Sequence, residues 1–398
     1  MKSLISPSRG VLRPKQVRGN NNAIVLQLLR RASRISRAEL ARLSGLSEGT
    51  VSRIVAGLLS QSLVVEEGAE NSTGGRPATQ LHLSEEPKAI GVEIQNWETR
   101  FALSTMRGTL TDRTSMRTPP SPEQTVARIV EQSRQYCAEH GRKRIHGLGV
   151  CARGLVNAHT GVVEIGNAPG WTNVPLRRML EDALRMPVYV DNDVRVAATA
   201  EYNYTESGKS APHCLLYVRV GEGVGISVFL DGELYTGPSM GAGEFGQMVI
   251  ADDGGNMTHD RPGCLEKLIS NSAVCARYAA AAGRAASGTA DSGARVRRIC
   301  QQAMAGDAVA RQVLETTGRF LGIGIANLVW GLAPEVVVIG SSLNTAWPII
   351  REAILRQFPN PADWPSFRGL SIERSALDDQ GVLTGAATLA FAPFFRPE

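Results

Sequence analysis

Short helical patterns separated by a serine-glycine turn lie near the start of this 398-residue chain. Few folds combine such short helices with a sharp turn between them. Apolar positions within residues 24–29 predict a first helix. The segment Ser36-Arg37-Ala38-Glu39 is a capping box, which predicts the start of a second helix. Ser44-Gly45 follows, and glycine permits the positive φ that a sharp helix exit needs. The order predicts a helix-turn-helix.

A third helix is predicted from about Ser47, and its two faces differ in chemistry. The inner face carries apolar residues at helical spacing, namely Val51, Ile54, Val55 and Leu58. The outer face is small and polar, and its candidate DNA contacts are Ser47, Thr50, Ser52 and Arg53. A helix that enters the major groove, about 12 Å wide, needs such hydroxyls and an arginine to reach phosphates and base edges.

A β-hairpin is predicted after the third helix. Residues 63–65 and 80–83 alternate in polarity around a tip that contains Gly74-Gly75-Arg76-Pro77. In a winged domain this tip lies along the minor groove, where Gly75 lets the backbone approach and Arg76 meets the negative potential. The alternative is an ordinary exposed turn with an incidental arginine.

Positive charge is concentrated in the N-terminal fifth of the chain. The whole chain carries +5, but residues 1–80 hold 12 Lys/Arg against 5 Asp/Glu. A polyanionic partner for this segment is the natural inference, and a solvated basic tail is the alternative. We predict a basic tail over 1–19 and a winged helix-turn-helix over 20–84 that binds a double-stranded DNA operator.

Several classes of protein are excluded by what the sequence lacks. No stretch approaches the roughly 18 to 20 apolar residues of a membrane span, and the N-terminus has no signal-peptide core. The six cysteines form no CxxC pair, which argues against a disulfide framework. We expect a cytoplasmic protein without a membrane partner.

From about Lys88 the pattern changes to alternating strands and helices. Strands are predicted at 89–94, 145–151, 188–190, 214–220 and 336–340, several of them bounded by glycines. This alternation predicts an α/β architecture with glycine-rich turns at strand ends, where ligands usually bind.

Several glycine-rich and acidic motifs follow one another in this part, namely Gly166-Asn167-Ala168-Pro169-Gly170-Trp171, Asp191-Asn192-Asp193, Gly241-Ala242-Gly243-Glu244-Phe245-Gly246 and Gly263-Cys264-Leu265-Glu266. In type and order these motifs resemble the ROK family, which comprises sugar kinases and sugar-responsive repressors. The wing and the capping box also resemble its repressor branch. The resemblance implies a two-lobed, actin-like sugar-kinase domain over 88–398, with lobes at about 88–195 and 196–398.

The resemblance also implies which residues contact a sugar effector. They are Asn167, Asn192, Asp193, Glu244, Gln247 and Glu266. Carboxylates and carboxamides can accept and donate paired hydrogen bonds to neighbouring hydroxyls, so the set suits a polyol. Taken singly, each residue has a turn or helix cap as its alternative role.

Phosphoryl transfer is expected to be lost, although Asp193 stands where the family's kinases have their general base. The first phosphate loop reads Glu93-Ile94-Gln95-Asn96-Trp97-Glu98, with side chains where the family has glycines. The second loop carries Glu222 in place of the usual threonine. The carboxylates of Glu98 and Glu222 would repel ATP phosphates, and Asp193 would be a vestigial base.

The family's zinc site is also depleted. Where the family has one histidine and three cysteines, this chain offers Gln247, Met257, His259 and Cys264. Only His259 and Cys264 are plausible ligands, which are too few for a tight structural site. We expect no zinc and no other cofactor.

Three functions follow from these observations. The first is a repressor of carbohydrate metabolism genes that binds DNA as a homodimer or homotetramer and responds to a sugar. The second is an ATP-dependent sugar kinase that carries a DNA-binding domain. The third is a regulator without a ligand, whose large domain serves oligomerisation.

Overall fold

The computed structural model describes residues 14–32, 34–68, 79–166, 168–205, 212–251, 263–284 and 291–395. Its N-terminal part contains three helices and three short strands. In chain order these are α1 (Pro14–Arg31), β1 (Ile35–Ser36), α2 (Arg37–Ser44), α3 (Glu48–Ser60), β2 (Val64–Glu67) and β3 (Gln80–Leu83). The first helix therefore begins inside the segment predicted as a tail.

Local capping interactions fix the helix-turn-helix as predicted. The Ser36 hydroxyl accepts a hydrogen bond from the Glu39 amide at 3.2 Å and so caps α2. Gly45 ends α2 with a φ of 69°, and the Ser47 hydroxyl caps α3 by accepting from the Thr50 amide at 3.3 Å. On the inner face of α3 Val51, Val55 and Leu58 are buried and Ile54 is half-buried.

The hairpin is present and belongs to a three-stranded sheet. Strands β2 and β3 pair antiparallel with Val64 opposite Leu83, as the alternation predicts. Strand β1 pairs with the other edge of β3, which the sequence analysis missed because it is only two residues long. The predicted tip with Gly75 and Arg76 lies outside the described residues.

The large domain contains two five-stranded sheets. The first has the order β11-β7-β4-β5-β6, with β11, β7 and β4 parallel. Its strands are β4 (Lys88–Ile94), β5 (Glu98–Thr105), β6 (Leu110–Arg117), β7 (Ile145–Ala152) and β11 (Val188–Asn192). The helices α4 (Pro122–His140) and α5 (Leu176–Leu184) and the small sheet β8 (Gly154–Asn157), β9 (Val162–Gly166) and β10 (Thr172–Val174) belong to the same lobe.

Helix α6 (Asp193–Tyr204) leads from the first sheet to the second. The second sheet has the order β14-β13-β12-β15-β16. Its strands are β12 (Cys214–Val220), β13 (Val224–Leu230), β14 (Glu233–Tyr235), β15 (Val336–Ser341) and β16 (Ser371–Arg374). The accompanying helices are α7 (Leu265–Ile269), α8 (Asn271–Ala281), α9 (Ser292–Met304), α10 (Ala308–Leu332) and α11 (Trp347–Leu355). The predicted α/β fold with two lobes is confirmed.

The last helices return to the first lobe. Helix α12 (Gly381–Leu389) packs on the first sheet and on α6, and α13 (Ala392–Phe395) follows it. Helix α12 lies so close to the first sheet that a Cβ atom at Gly149 would be 1.7 Å from the Ala386 carbonyl oxygen. It lies equally close to α6, since a Cβ atom at Gly385 would be 1.9 Å from the Val196 carbonyl oxygen. Helix α12 thus lies between the two sheets, since Val382 and Ala386 also pack with Leu215 and Val338 of the second sheet. The lobe boundaries 88–195 and 196–398 stay a prediction.

The winged domain and the large domain share one apolar core. Val25, Leu26 and Leu29 of α1 are buried in the same cluster as Phe391 and Phe395 near the C-terminus. The domains 20–84 and 88–398 are therefore joined by packed side chains, and no extended linker separates Leu83 from β4. No helix in the described ranges is long and apolar enough to cross a membrane.

Candidate functional site

A polar cleft of about 550 Å³ lies where the ends of the two sheets meet. Five of the six residues predicted to contact a sugar line this cavity, namely Asn192, Asp193, Glu244, Gln247 and Glu266. The sixth, Asn167, lies outside the described residues. The fold thus brings together side chains that are up to 74 positions apart, as the resemblance implied. Their contact with a sugar stays a prediction.

The N-terminus of α6 lies at the base of this cleft. The Asn192 side-chain oxygen caps the helix by accepting from the amides of Val194 at 2.8 Å and Arg195 at 3.3 Å. Its Nδ2 donates to the Gly154 carbonyl at 2.9 Å. The alternative role of Asn192 as a cap is therefore realised, and one Nδ2 hydrogen is left for a ligand.

Asp191 and Arg195 fix this end of α6 to its surroundings. The Arg195 guanidinium donates to Asp191 Oδ1 at 2.6 Å, to the Met240 carbonyl at 2.8 Å and to the Val156 carbonyl at 2.6 Å. Both charged side chains are nearly buried. Because the guanidinium is so fully bonded, its role is to hold Asn192 and Asp193 in place.

Arg219 also lines the cavity, and none of the sequence motifs indicates it. It stands at the end of β12 in the second lobe, and its Nε lies 3.4 Å from Asp193 Oδ2. Its NH2 lies 3.9 Å from Glu93 Oε1 of the first lobe. Burial disfavours the charged guanidinium, but the carboxylates of Asp193 and Glu93 outweigh this and raise the pKa of Arg219. The sequence does carry one sign of this residue's importance: it is the one charged residue in the otherwise apolar run 214–220, which ends directly before the glycine loop.

The first phosphate loop is a tight hairpin. The Gln95 amide donates to the Glu98 carbonyl at 3.0 Å, and Trp97 and Glu98 extend into solvent beside the cavity. Glu93 is buried and forms an ion pair with Arg100, its register partner across β4 and β5, and Gln95 Nε2 donates to it at 2.7 Å.

The second loop keeps its glycines and is tied to Glu266. The Gly221 amide donates to the Gly223 carbonyl at 2.9 Å, and the Val224 amide donates to Glu266 Oε2 at 3.0 Å. Glu222 lies at the tip and lines the cavity. Its carboxylate remains the charge in this loop that opposes a phosphate.

Glu244 and Glu266 also line the cavity. Partial desolvation, and secondly the charge of Glu266, raise the pKa of Glu244. A carboxyl that binds a proton more readily can donate as well as accept, which suits a hydroxyl-rich ligand.

The described part of the zinc region does not fit a zinc ion. Cys264 is buried and bridges to Val249 by backbone pairing, and Gln247 stands where the family has a histidine. Over the described ranges no three His, Cys, Asp or Glu side chains are grouped so as to hold a metal. Met257 and His259 lie outside those ranges. The absence of zinc stays a prediction.

The outer face of α3 is accessible for DNA. Ser47, Ser52 and Arg53 are exposed and Thr50 is half-exposed. Ser47 caps α3, and its hydroxyl and that of Thr50 also bond to each other at 2.9 Å. Ser52 and Arg53 are therefore the freer groups for base and phosphate contacts.

Comparison with known families decides the affiliation. Residues 89–392 match the model of the ROK family. The chain belongs to the ROK family. Residues 25–64 match a winged helix-turn-helix DNA-binding model. Together with the exposed face of α3, this makes the chain a DNA-binding regulator of the ROK family, as the resemblance implied.

Similar ROK proteins match over nearly the whole length. The xylose repressor of Caldicellulosiruptor bescii is 27% identical over 383 residues, 94% of this chain and 95% of that one. The N-acetylglucosamine repressor of Escherichia coli O6:H1 is 26% identical over 369 residues, 91% of this chain and 90% of that one.

Solved ROK structures share the fold. A ROK family transcriptional regulator, described as a homolog of the Escherichia coli MLC protein, superposes with a TM-score of 0.76 at 24% identity and covers 96% of this chain and 97% of its own. The ROK hexokinase from Thermus thermophilus has a TM-score of 0.61 at 26% identity and covers 77% of this chain and 98% of its own.

Proposed function

We propose that this protein is a repressor of carbohydrate metabolism genes whose operator affinity changes when a sugar or sugar derivative binds in the cleft. The observation that carries the proposal is the pairing of Asp193 with Arg219 in a cleft that is also lined by Glu244, Gln247 and Glu266. The polar groups that suit a sugar are retained, while the carboxylate that would act as base is held by a cation. Relatives named as xylose and N-acetylglucosamine repressors support this reading.

Loss of kinase activity is part of the proposal. Trp97, Glu98 and Glu222 line the side of the cleft where the family's phosphate loops lie. A unit charge about 4 Å from a phosphate oxygen repels it by about 4 kcal/mol at an effective dielectric of 20. Two such carboxylates weaken ATP binding by orders of magnitude.

The sugar-contact residues are Asn167, Asn192, Asp193, Glu244, Gln247 and Glu266, and the DNA-contact residues are Ser47, Thr50, Ser52, Arg53, Gly75 and Arg76. The protein acts in the cytoplasm on a two-fold symmetric operator, as a homodimer or a homotetramer, because paired half-sites need paired recognition helices. The proposed domains are 20–84 and 88–398, preceded by a basic segment.

The proposal is tested by calorimetry and DNA binding on the full chain. A duplex selected from a random-sequence pool serves as operator, and D-xylose, D-glucose and N-acetylglucosamine serve as probes. We expect one of them to bind and to change the operator Kd about tenfold, a common size of allosteric coupling. Glu266→Gln is expected to lower the affinity for that sugar about tenfold, and the exposed Glu233→Gln is the matched control.

The alternatives give different results in the same series. ATP turnover on any hexose or amino sugar that Asp193→Ala abolishes would establish a kinase. Binding of no sugar, together with intact operator binding, would establish a regulator without a small-molecule ligand.

A further inference from the structure

Helix α6 reaches from the cleft to the DNA-binding domain. Its first residue, Asp193, lines the cavity, and its last turn carries Tyr202 and Tyr204. Twelve residues at 1.5 Å each give a rod about 18 Å long. One secondary structure element thus contacts both functional parts of the molecule.

The far end of α6 contacts the last turn of α1. Arg31 NH2 donates to the Tyr202 hydroxyl at 2.9 Å, and the Arg31 guanidinium lies 5.2 Å from the centre of the Tyr202 ring. The Tyr202 ring stacks on Phe229 of β13 at 4.4 Å, so its position is well defined. Arg31 and Tyr202 are 171 positions apart in the sequence.

A second contact lies beside the first. Arg30 is largely buried and its guanidinium lies 4.0 Å from the centre of the Phe395 ring. Burial lowers the pKa of Arg30 to about 10. The neighbouring Tyr204 hydroxyl lies 3.2 Å from Thr388 Oγ1 of α12. The end of α1 is therefore enclosed by α6 and the C-terminal helices.

Helix α6 has little room to bend between its two ends. Gly385 of α12 packs so tightly on Val196 that no side chain fits between the helices. At the cleft, Asp193 is paired with Arg219 on β12 of the second lobe. A change in lobe closure acts on Asp193 through Arg219, and a stiff helix transmits the displacement to Tyr202.

We propose that α6 couples the cleft to the DNA-binding domain, with Tyr202 and Arg31 as the positioning residues at its output. Because this coupling rests on the proposed function for its sugar input, the experiment includes one arm with sugar and one without. Tyr202 and Arg31 lie outside the cleft lining, so their contact can be altered while the cavity stays intact.

The arm with sugar uses Tyr202→Phe, which removes the hydroxyl but keeps the stack on Phe229. The probe is whichever of D-xylose, D-glucose and N-acetylglucosamine binds the wild type. We expect the sugar Kd and the sugar-free operator Kd to stay within about twofold, and the sugar-induced change in operator Kd to fall at least threefold. Tyr235→Phe, at an exposed site on β14, is the control. An unchanged sugar response in Tyr202→Phe would overturn the coupling.

The arm without sugar measures hydrogen exchange in the full chain. Arg219→Gln releases Asp193, and we expect the amides of the last two turns of α1 to exchange about tenfold faster, while those of α4 are unchanged. Glu222→Gln, in the same cleft but without contact to Asp193, is the control. Unchanged exchange in α1 would overturn the coupling, whatever the sugars do. If no probe sugar binds but α1 responds to Arg219→Gln, the coupling stands and the proposed sugar input fails.

Discussion

The Nε atom of Arg219 lies 3.4 Å from Oδ2 of Asp193, and the same guanidinium approaches Glu93. In this ion pair Oδ2 of Asp193 faces the guanidinium. Since guanidinium groups remain charged at every physiological pH, no change of pH frees the carboxylate. The pair also joins the two lobes, because Arg219 belongs to the second sheet, Glu93 to the first sheet and Asp193 to the start of α6 at the end of that sheet.

Replacing Arg219 by threonine is expected to destabilise the fold. It leaves two enclosed carboxylates without their shared cation. Breaking a buried ion pair costs about 3 to 5 kcal/mol, and because a fifth of the Arg219 side chain is exposed, we expect about 2 kcal/mol in the free energy of unfolding. Urea denaturation measures this loss.

The double variant Arg219→Thr, Asp193→Asn is the matched control for that measurement. It removes one of the stranded charges, so its loss should be smaller than the sum of the two single losses. Additive losses would show that the two side chains do not interact in solution.

The cap at Asn192 gives a second stability prediction. Asn192→Ala removes the acceptor for two amides at the start of α6 and should lower the free energy of unfolding by about 1 kcal/mol. Asn192→Asp keeps an acceptor oxygen and should retain most of the wild-type free energy of unfolding. Thermal unfolding of the three proteins tests this, and equal melting temperatures would contradict the capping role.

Glu201 on α6 predicts a dependence of stability on pH. Burial raises the pKa of its carboxyl, although Ser375 and the Ala376 amide donate hydrogen bonds to it. The folded protein then holds this proton more tightly than the unfolded chain. Its contribution to stability is full below the ordinary carboxyl pKa of 4.5 and is lost as the pH rises through the higher folded-state value.

Glu201→Gln should remove the loss of stability that accompanies rising pH. The free energy of unfolding of this variant, followed by urea denaturation from pH 4.5 to neutral, should fall less steeply with pH than that of the wild type. The exposed Glu233→Gln should follow the wild-type curve. Parallel curves for Glu201→Gln and the wild type would show that Glu201 titrates alike in both states.

The assignment of DNA contacts predicts different effects for wing and helix. Arg76→Ala should weaken binding to all sequences and reduce the salt dependence by about one unit of slope, as for a lost phosphate contact. Thr50→Ala and Arg53→Ala should instead change sequence preference, measured by selection from a random pool. Equal effects of all three changes on operator and random DNA would refute readout by α3.

The depleted ligand set predicts a protein without stoichiometric zinc. Elemental analysis of the purified full chain should find well below one zinc per chain. One tightly held zinc would show that His259 and Cys264 recruit further ligands.

Features set by local sequence could be predicted. The caps at Ser36 and Ser47 and the turn at Gly45 depend on residues within three positions, and they lie where the pattern placed them. The pairing of Glu93 with Arg100 could also have been predicted, since a hairpin turn over residues 95–98 places these two residues opposite each other.

Features that depend on packing between distant parts of the chain could not be predicted from the sequence. The contact of Arg31 with Tyr202, and the return of α12 to the first sheet, depend on how whole elements assemble. The role of Arg219 is of the same kind, because Glu93 and Asp193 come from other elements. The family motifs identified the walls of the cleft, but nothing in them indicated the ion pair across it.

The core that Val25 and Leu29 share with Phe391 and Phe395 has a consequence for synthesis of the chain. The DNA-binding domain is translated first, yet its apolar surface is covered only after residue 395 has left the ribosome. A nascent chain therefore exposes the apolar surface of its DNA-binding domain until the large domain has been made. An isolated fragment of residues 20–84 would expose the same surface and should aggregate.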